Sequence, residues 1–96
     1  MNSGEMLKSR EPDYISAVDE FAELMKKRLK EKEAKWGNPE DYTAYDMRLG
    51  LLDEIREWKE SVGTEQEDEE LIDIANYAFL IWYLKRKKAE GGEEGP

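Results

Sequence analysis

Histidine and cysteine are both absent from this chain of 96 residues. Their absence excludes disulfides, zinc fingers, thiol nucleophiles and Ser-His-Asp triads. The sequence also has no glycine-rich phosphate loop or dinucleotide fingerprint. Residues 1–12 are polar and lack the apolar core of a signal peptide. We therefore expect a cytoplasmic protein whose site chemistry uses carboxylates, amides and metal ions.

Positive charge is scarce as well, with 15 Lys and Arg against 24 Asp and Glu and a net charge of −9. Nucleic-acid binders need a basic surface, so we expect no nucleic-acid partner. A single nucleotide remains compatible, because metal ions would supply positive charge. The longest apolar stretch, Leu71 to Leu84, is interrupted only by Asp73 and Asn76. It is too short to span a bilayer, so we expect no membrane partner.

Three segments have the periodicity of long helices. The first is expected over residues 14–34, capped by Asp13 or Ser16. Its apolar positions follow a 3-4-3-4 spacing: Ile15, Val18, Ala22, Met25 and Leu29. The sequence Trp36-Gly37-Asn38-Pro39 then predicts a break.

The second helix is expected from about residue 42 to 62, and the third starts after a Thr64-x-x-Glu67 capping box and runs to about 88. The inner stripe of the second helix comprises Leu51, Ile55, Trp58 and Val62. These segments predict an all-α antiparallel bundle of about three long helices, completed by oligomerisation because so small a unit buries little surface. The helical domain is placed at 13–89, between a flexible segment 1–12 and a flexible tail 90–96.

Two acidic pairs with a spacing of three residues lie on neighbouring predicted helices: Glu54 with Glu57, and Glu70 with Asp73. Residues three apart share one face of a helix, so antiparallel packing would bring four carboxylates together. Hard oxygen ligands without His or Cys suit Mg²⁺, or Mn²⁺ in its place. The pattern therefore predicts a metal site made of these four residues.

Two positions leave alternatives open. Asp73 lies between Ile72 and Ile74, and a buried carboxylate needs a metal or a charged partner. Arg56 or Lys59 of the second helix would be such a partner. Gly50 lies one turn before Glu54 in a helix interior, where glycine costs about 1 kcal/mol relative to alanine. It marks either a tolerated weak spot or the close approach of another helix or a ligand.

The segment Leu51 to Ala78 resembles the MazG-like, all-α nucleoside triphosphate pyrophosphohydrolases. Asp53-Glu54-Ile55-Arg56-Glu57 is similar to the family's first Glu-x-x-Glu motif, with Asp53 where a preceding Glu is usual. Glu69-Glu70-Leu71-Ile72-Asp73 is similar to its second, Glu-x-x-Asp. Asp73-Ile74-Ala75-Asn76-Tyr77-Ala78 resembles the Asp-Val-Ala-Asn-Phe stretch of phage-type members, and Lys35-Trp36-Gly37 a basic-aromatic stretch upstream of their first motif.

The resemblance implies that Glu54, Glu57, Glu70 and Asp73 hold one to three Mg²⁺ ions against a nucleoside triphosphate. Glu54 and Glu57 would be catalytic, with one glutamate assisting the attacking water as a base. The expected reaction yields a nucleoside monophosphate and pyrophosphate from ribo- or deoxyribonucleotides. The family also implies a homodimer or homotetramer with the sites between packed helices.

Four further residues are interpreted as substrate-binding, each beside a structural alternative. Asn76 would contact the sugar, or else orient Asp73. Trp36 would stack on a base, or else fill the core. Lys85 and Arg86 would reach phosphates from a neighbouring subunit, or else complement the helix dipole. Two other functions also remain open on the same fold: a non-catalytic helical oligomerisation module and a nucleotide sensor.

Overall fold

The structure, a computed structural model, describes residues 13–91. Helix α1 spans Tyr14–Trp36, α2 spans Ala44–Ser61 and α3 spans Glu67–Gly91, with a 3-10 turn at Pro39–Asp41. The all-α prediction is confirmed, and no strand occurs within the described range. Helix α3 runs two residues past the predicted boundary at 89. The predicted flexible segment 1–12 and the end of the predicted tail lie outside the described residues.

Side-chain caps define the starts of α1 and α2. The Asp13 carboxylate accepts a hydrogen bond from the Ser16 amide (2.9 Å), as one of the two predicted caps requires. Thr43 and Asp46 form a reciprocal capping box, with both hydrogen bonds at 3.0 Å. Because these caps satisfy amides that have no partner inside the helix, they fix where the two helices begin.

The capping box predicted at Thr64 and Glu67 is wrong. The Glu67 carboxylate instead accepts hydrogen bonds from the Trp58 indole N–H (3.0 Å) and the Gly63 amide (3.1 Å). Gly63 has φ 84°, a conformation that glycine adopts without strain. Glu67 therefore links the end of α2 to the start of α3, which a local capping pattern does not reveal.

Contacts along α3 show that it packs antiparallel to both other helices. On the α2 side, Trp58 meets Glu67 and Gly50 meets Tyr77. Along these contacts the residue numbers of α2 decrease as those of α3 increase, which is the order of an antiparallel pair. On the α1 side, Arg28 meets Asp73 and Met25 meets Asn76, again in opposite order. Within the described chain, α3 thus contacts both other helices.

Gly50 lies where α2 and α3 approach closely. A Cβ atom at this position would be 2.7 Å from Cζ and 3.0 Å from Cδ1 of the Tyr77 ring. Atoms at such distances clash, so only glycine fits without movement of the ring. The close-approach alternative for Gly50 is confirmed, and the neighbour is the Tyr77 ring of α3.

The interior of the described chain holds more polar than apolar residues. Met47 is the one buried apolar residue, whereas the buried polar residues are Glu54, Ser61, Asp73 and Asn76. Val62, predicted to lie on the inner stripe, follows the last residue of α2 and is exposed. No helix between residues 13 and 91 is long and apolar enough to cross a membrane.

The predicted stripe of α1 is only half covered. Ala22, Met25 and Leu29 are partly buried, but Ile15 and Val18 are 62% and 58% exposed. Tyr14, Phe21 and Leu24 on the same end of α1 are exposed too. The apolar stripe of α1 therefore extends towards the N-terminus beyond the part that α3 covers.

Candidate metal centre

Three glutamates from two helices converge on one point. Glu54 and Glu57 come from α2 and Glu70 from α3, and one carboxylate oxygen of each lies within 4.8 Å of the others. Glu54 is 9% exposed, Glu70 is partly buried and Glu57 is exposed. We call these residues the glutamate cluster. It brings together three of the four predicted metal ligands and opens to solvent on the side of Glu57.

Two oxygens of the glutamate cluster have no hydrogen-bond donor. Oε1 of Glu54 and Oε1 of Glu70 are both buried and accept no hydrogen bond from the described residues. A buried carboxylate oxygen in this state is costly. A proton shared between the two carboxylates or a bound cation would remove that cost.

The surroundings of Glu54 favour its protonated form. Burial, a hydrogen bond that protonated Glu54 donates to Glu70, and the charges of Asp73 and Glu57 raise the pKa of Glu54 to about 8. Burial and the charges of Glu54 and Asp73 also raise the pKa of Tyr77. Both shifts share the burial of the group and the nearby charges of Glu57 and Asp73 as causes.

Helix contacts on both sides hold the glutamate cluster in place. One turn before Glu54, Gly50 packs against the ring of Tyr77. One turn after it, the indole of Trp58 donates to Glu67. Because both contacts join α2 to α3, they fix the distance between the helices that carry the carboxylates.

Asp73 is only 3% exposed and is held by α1. Its two oxygens accept hydrogen bonds from Nε (2.8 Å) and a terminal nitrogen (3.1 Å) of Arg28. The predicted partner Arg56 pairs instead with Asp53 (3.2 Å), and Lys59 is exposed. The ion-pair alternative is therefore present, but its partner comes from α1 rather than α2. Asp73 is not one of the three grouped carboxylates.

Arg28 is the site residue that sequence reasoning missed. One terminal nitrogen lies 2.7 Å from Glu69 and 3.3 Å from Glu31. The hydrogen bonds to Asp73 raise the pKa of Arg28 above its usual value, so it carries a permanent positive charge here. The available signal was its position: Arg28 follows Met25 by three residues and therefore flanks the apolar stripe of α1.

Asn76 and Trp36 lie close together beside Asp73, in the wall of one cavity. Asn76 is 5% exposed and its Nδ2 donates to the Met25 carbonyl (3.2 Å). Trp36 is 50% exposed, and the ammonium of Lys32 lies 4.5 Å from its ring centroid. A side chain so exposed does not fill the core, so that alternative for Trp36 is wrong.

Lys85 and Arg86 do not join the site within one chain. Fifteen residues of helix separate Lys85 from Glu70, which corresponds to roughly 22 Å along α3. The Arg86 guanidinium lies 5.2 Å from the ring centroid of Trp82. Lys85 and Arg86 therefore lie far from the glutamate cluster along α3.

The chain matches no protein-family model, no curated protein and no solved structure. The resemblance to MazG-like enzymes therefore rests on its short motifs and on their order along the chain.

Proposed function

We propose that the glutamate cluster binds Mg²⁺, with Mn²⁺ as a substitute, and that the protein hydrolyses nucleoside triphosphates to monophosphates and pyrophosphate. The observation that carries the proposal is the convergence of Glu54, Glu57 and Glu70 within 4.8 Å, with two buried oxygens lacking donors. The resemblance to MazG-like pyrophosphohydrolases supplies the reaction and the class of substrate.

The residues present fit a hard divalent cation. All three offer carboxylate oxygens, and Mg²⁺ prefers oxygen ligands and retains several waters beside a few carboxylates. Positive charge between Glu54 and Glu70 would satisfy oxygens that lack donors and offset the repulsion among the carboxylates. Three ligands also leave coordination positions for the phosphates of a substrate.

A metal held by Glu54, Glu57 and Glu70 would lower the pKa of a bound water and neutralise charge on the phosphates. Glu57 is exposed, so its carboxylate can accept the proton of the water that breaks the bond between the α- and β-phosphates. Glu54 is buried and would hold the metal on the side away from solvent. Asp73 would act as a fourth ligand, as the resemblance implies, only after its pair with Arg28 opens.

Pyrophosphate release from a panel of ribo- and deoxyribonucleoside triphosphates, with Mg²⁺ or Mn²⁺, tests the reaction. We expect Glu54→Gln and Glu57→Gln each to reduce turnover by at least a hundredfold, since each removes a ligand. Glu60→Gln is the matched control: it neutralises an exposed carboxylate on the same helix, outside the acidic motif, and should leave turnover unchanged. Full activity in Glu54→Gln would refute the proposal.

We further propose that a second copy of this chain covers the exposed end of α1. Most inward apolar side chains of the described chain are only partly buried, so further burial would add hydrophobic stabilisation. Ile15 and Val18 continue a stripe that is buried further along α1, so the same kind of helix packing would extend it.

Light scattering on eluted chromatography peaks tests this association. Wild type should elute as a dimer or tetramer and Ile15→Glu as a smaller species, whereas Ala34→Glu on the exposed face of α1 should behave as wild type. Association without pyrophosphate release would indicate a helical oligomerisation module. Nucleotide binding without release would indicate a sensor.

A further inference from the structure

Helix α3 carries carboxylates on two sides, and the two sides differ in what balances their charge. Towards α2, Glu70 belongs to the glutamate cluster, in which two buried oxygens have no hydrogen-bond donor among residues 13–91. Towards α1, Glu69 and Asp73 lie against the guanidinium of Arg28. A protein cation therefore already occupies the second side.

We infer that Arg28 takes the place of a second metal ion, so that one chain binds a single divalent cation, at the glutamate cluster. The inference rests on the proposed function, because that function puts the metal there. It goes further in stating how many ions bind and in assigning Asp73 to Arg28 instead of to a metal. In both respects this chain departs from what its resemblance to MazG-like enzymes implies.

The guanidinium of Arg28 leaves neither oxygen of Asp73 without a donor. Oδ1 accepts a hydrogen bond from Nε at 2.8 Å, and Oδ2 accepts one from a terminal nitrogen at 3.1 Å. Paired bonds between these two charged groups are among the strongest hydrogen bonds in proteins. Asp73 is 3% exposed, so water does not compete for its oxygens.

The other groups around Arg28 complete a position for a cation. The second terminal nitrogen of Arg28 lies 2.7 Å from Glu69 and 3.3 Å from Glu31. A divalent ion at this place would meet the same carboxylates. It would also approach the ammonium of Lys32, which lies 3.9 Å from Oδ2 of Asp73. Two side chains thus supply the positive charge that a metal would bring.

A metal ion would gain different amounts on the two sides of α3. At the glutamate cluster it would meet buried oxygens that lack donors. At Asp73 it would have to break two charge-assisted hydrogen bonds and leave the Arg28 charge beside it. Separating the members of a buried ion pair is strongly unfavourable. Asp73 should therefore stay with Arg28 when the glutamate cluster is filled.

Electron paramagnetic resonance of free Mn²⁺ counts the ions that the full-length protein binds. Salt at roughly 0.15 M screens weak binding to exposed carboxylates. Wild type should bind one Mn²⁺ per chain. Glu70→Gln should weaken binding at least about tenfold, because it removes a ligand. Asp73→Asn, one turn further along α3, should weaken it by less than about threefold, because it removes only a neighbouring charge.

Removing the guanidinium should open the second position. Arg28→Met should raise the count to two Mn²⁺ per chain, because the oxygens of Asp73 and Glu69 lose the cation that lies between them. Arg56→Met is the matched control. It removes an arginine from an exposed pair with Asp53 and should keep the count at one.

The Nε–H resonance of Arg28 in ¹⁵N-labelled wild type reports the ion pair directly, without any variant that might unfold. Its proton should exchange slowly with water, because it is donated to a buried carboxylate, and the slow exchange should persist when Mg²⁺ saturates the protein. Arg48 is exposed, so its Nε–H should exchange rapidly in both states. Loss of the signal in Arg28→Lys assigns it.

Two Mn²⁺ per wild-type chain would overturn the inference and leave the metal site standing. Tenfold weaker binding in Asp73→Asn would do the same, as would rapid exchange of the Arg28 proton in the Mg²⁺ complex. A count of one in a folded Arg28→Met variant would also contradict it. No bound Mn²⁺ in wild type would instead refute the proposed metal site. If Arg28→Met does not fold, Asp73→Asn and the Arg28 resonance decide.

Discussion

Binding of Mg²⁺ to the glutamate cluster should release a proton, and the amount should depend on pH. Without a cation, the pKa of Glu54 is raised to about 8, so this carboxyl is about 90% protonated at pH 7. A metal ligand must be ionised. Binding at pH 7 should therefore release about 0.9 proton per site, and binding at pH 9 only about 0.1.

Metal binding should release a proton, and not take one up, because of the groups that raise the pKa of Glu54. Burial, the shared proton with Glu70 and the charges of Asp73 and Glu57 all disfavour the ionised form of Glu54. A divalent cation reverses the balance, because it favours ionised carboxylates. Below pH 8 the apparent affinity should then fall about tenfold for each unit of pH, as protons compete for the same group.

Isothermal titration calorimetry in two buffers with different ionisation enthalpies measures the released proton. The observed enthalpy at pH 7 should differ between PIPES and Tris in proportion to about 0.9 proton, and the difference should nearly vanish at pH 9. Glu54→Gln should bind Mg²⁺ more weakly and release no proton. Glu60→Gln, on the same helix and exposed, should behave as wild type.

Tight binding at pH 7 without proton release would refute this reasoning, since it would mean that Glu54 is already ionised before the metal arrives. Absence of binding at both pH values would refute the metal site itself.

Three further outcomes concern stability. Gly50→Ala should destabilise the protein by about 1–3 kcal/mol in urea unfolding, because the clash with the facing tyrosine ring outweighs the gain in helix propensity. Arg28→Met should cost about 3–5 kcal/mol, because the buried Asp73 would keep only the more distant ammonium of Lys32, 3.9 Å from its Oδ2, among the described cations. Arg56→Met, at an exposed pair, should cost under about 1 kcal/mol. Without divalent ions, the folded state binds the Glu54 proton more tightly than the unfolded state. Stability should therefore fall as pH rises from about 4.5 to about 8, by up to about 1.4 kcal/mol per unit, and Glu54→Gln should lose this dependence.

Much of the fold could be predicted from the helical spacing of apolar residues and from the glycine and proline residues that end the helices. The observed first helix ends at Trp36 rather than 34, and the second spans Ala44–Ser61 rather than 42–62. Errors arose where a side chain acts outside its own helix. Glu67 fits a local capping box, yet its carboxylate serves Trp58 and Gly63, and local sequence does not encode such a contact.

The residues of the candidate site also differ in how far local sequence predicts them. Glu54, Glu57 and Glu70 could be grouped from sequence because helix spacing and antiparallel packing are enough to bring them together. The partner of Asp73 could not be predicted from sequence, because its identity depends on which face of α1 packs against α3. The sequence offered Arg56 or Lys59 of the preceding helix as possible partners, whereas Arg28 is 45 residues away along the chain.

The distribution of buried groups links the metal site to the association of chains. Burying ionised carboxylates opposes folding, and the described part of one chain buries only one apolar residue against this cost. A cation at the glutamate cluster would stabilise the native state by mass action, and the proposed second copy over Ile15 and Val18 would add apolar burial. The cation and the second copy would each bind only the folded chain. Binding of either one should therefore increase the fraction of folded chain that is available to the other. Metal-dependent stabilisation measured on a dissociated variant such as Ile15→Glu therefore reports the metal site alone, free of the contribution from association.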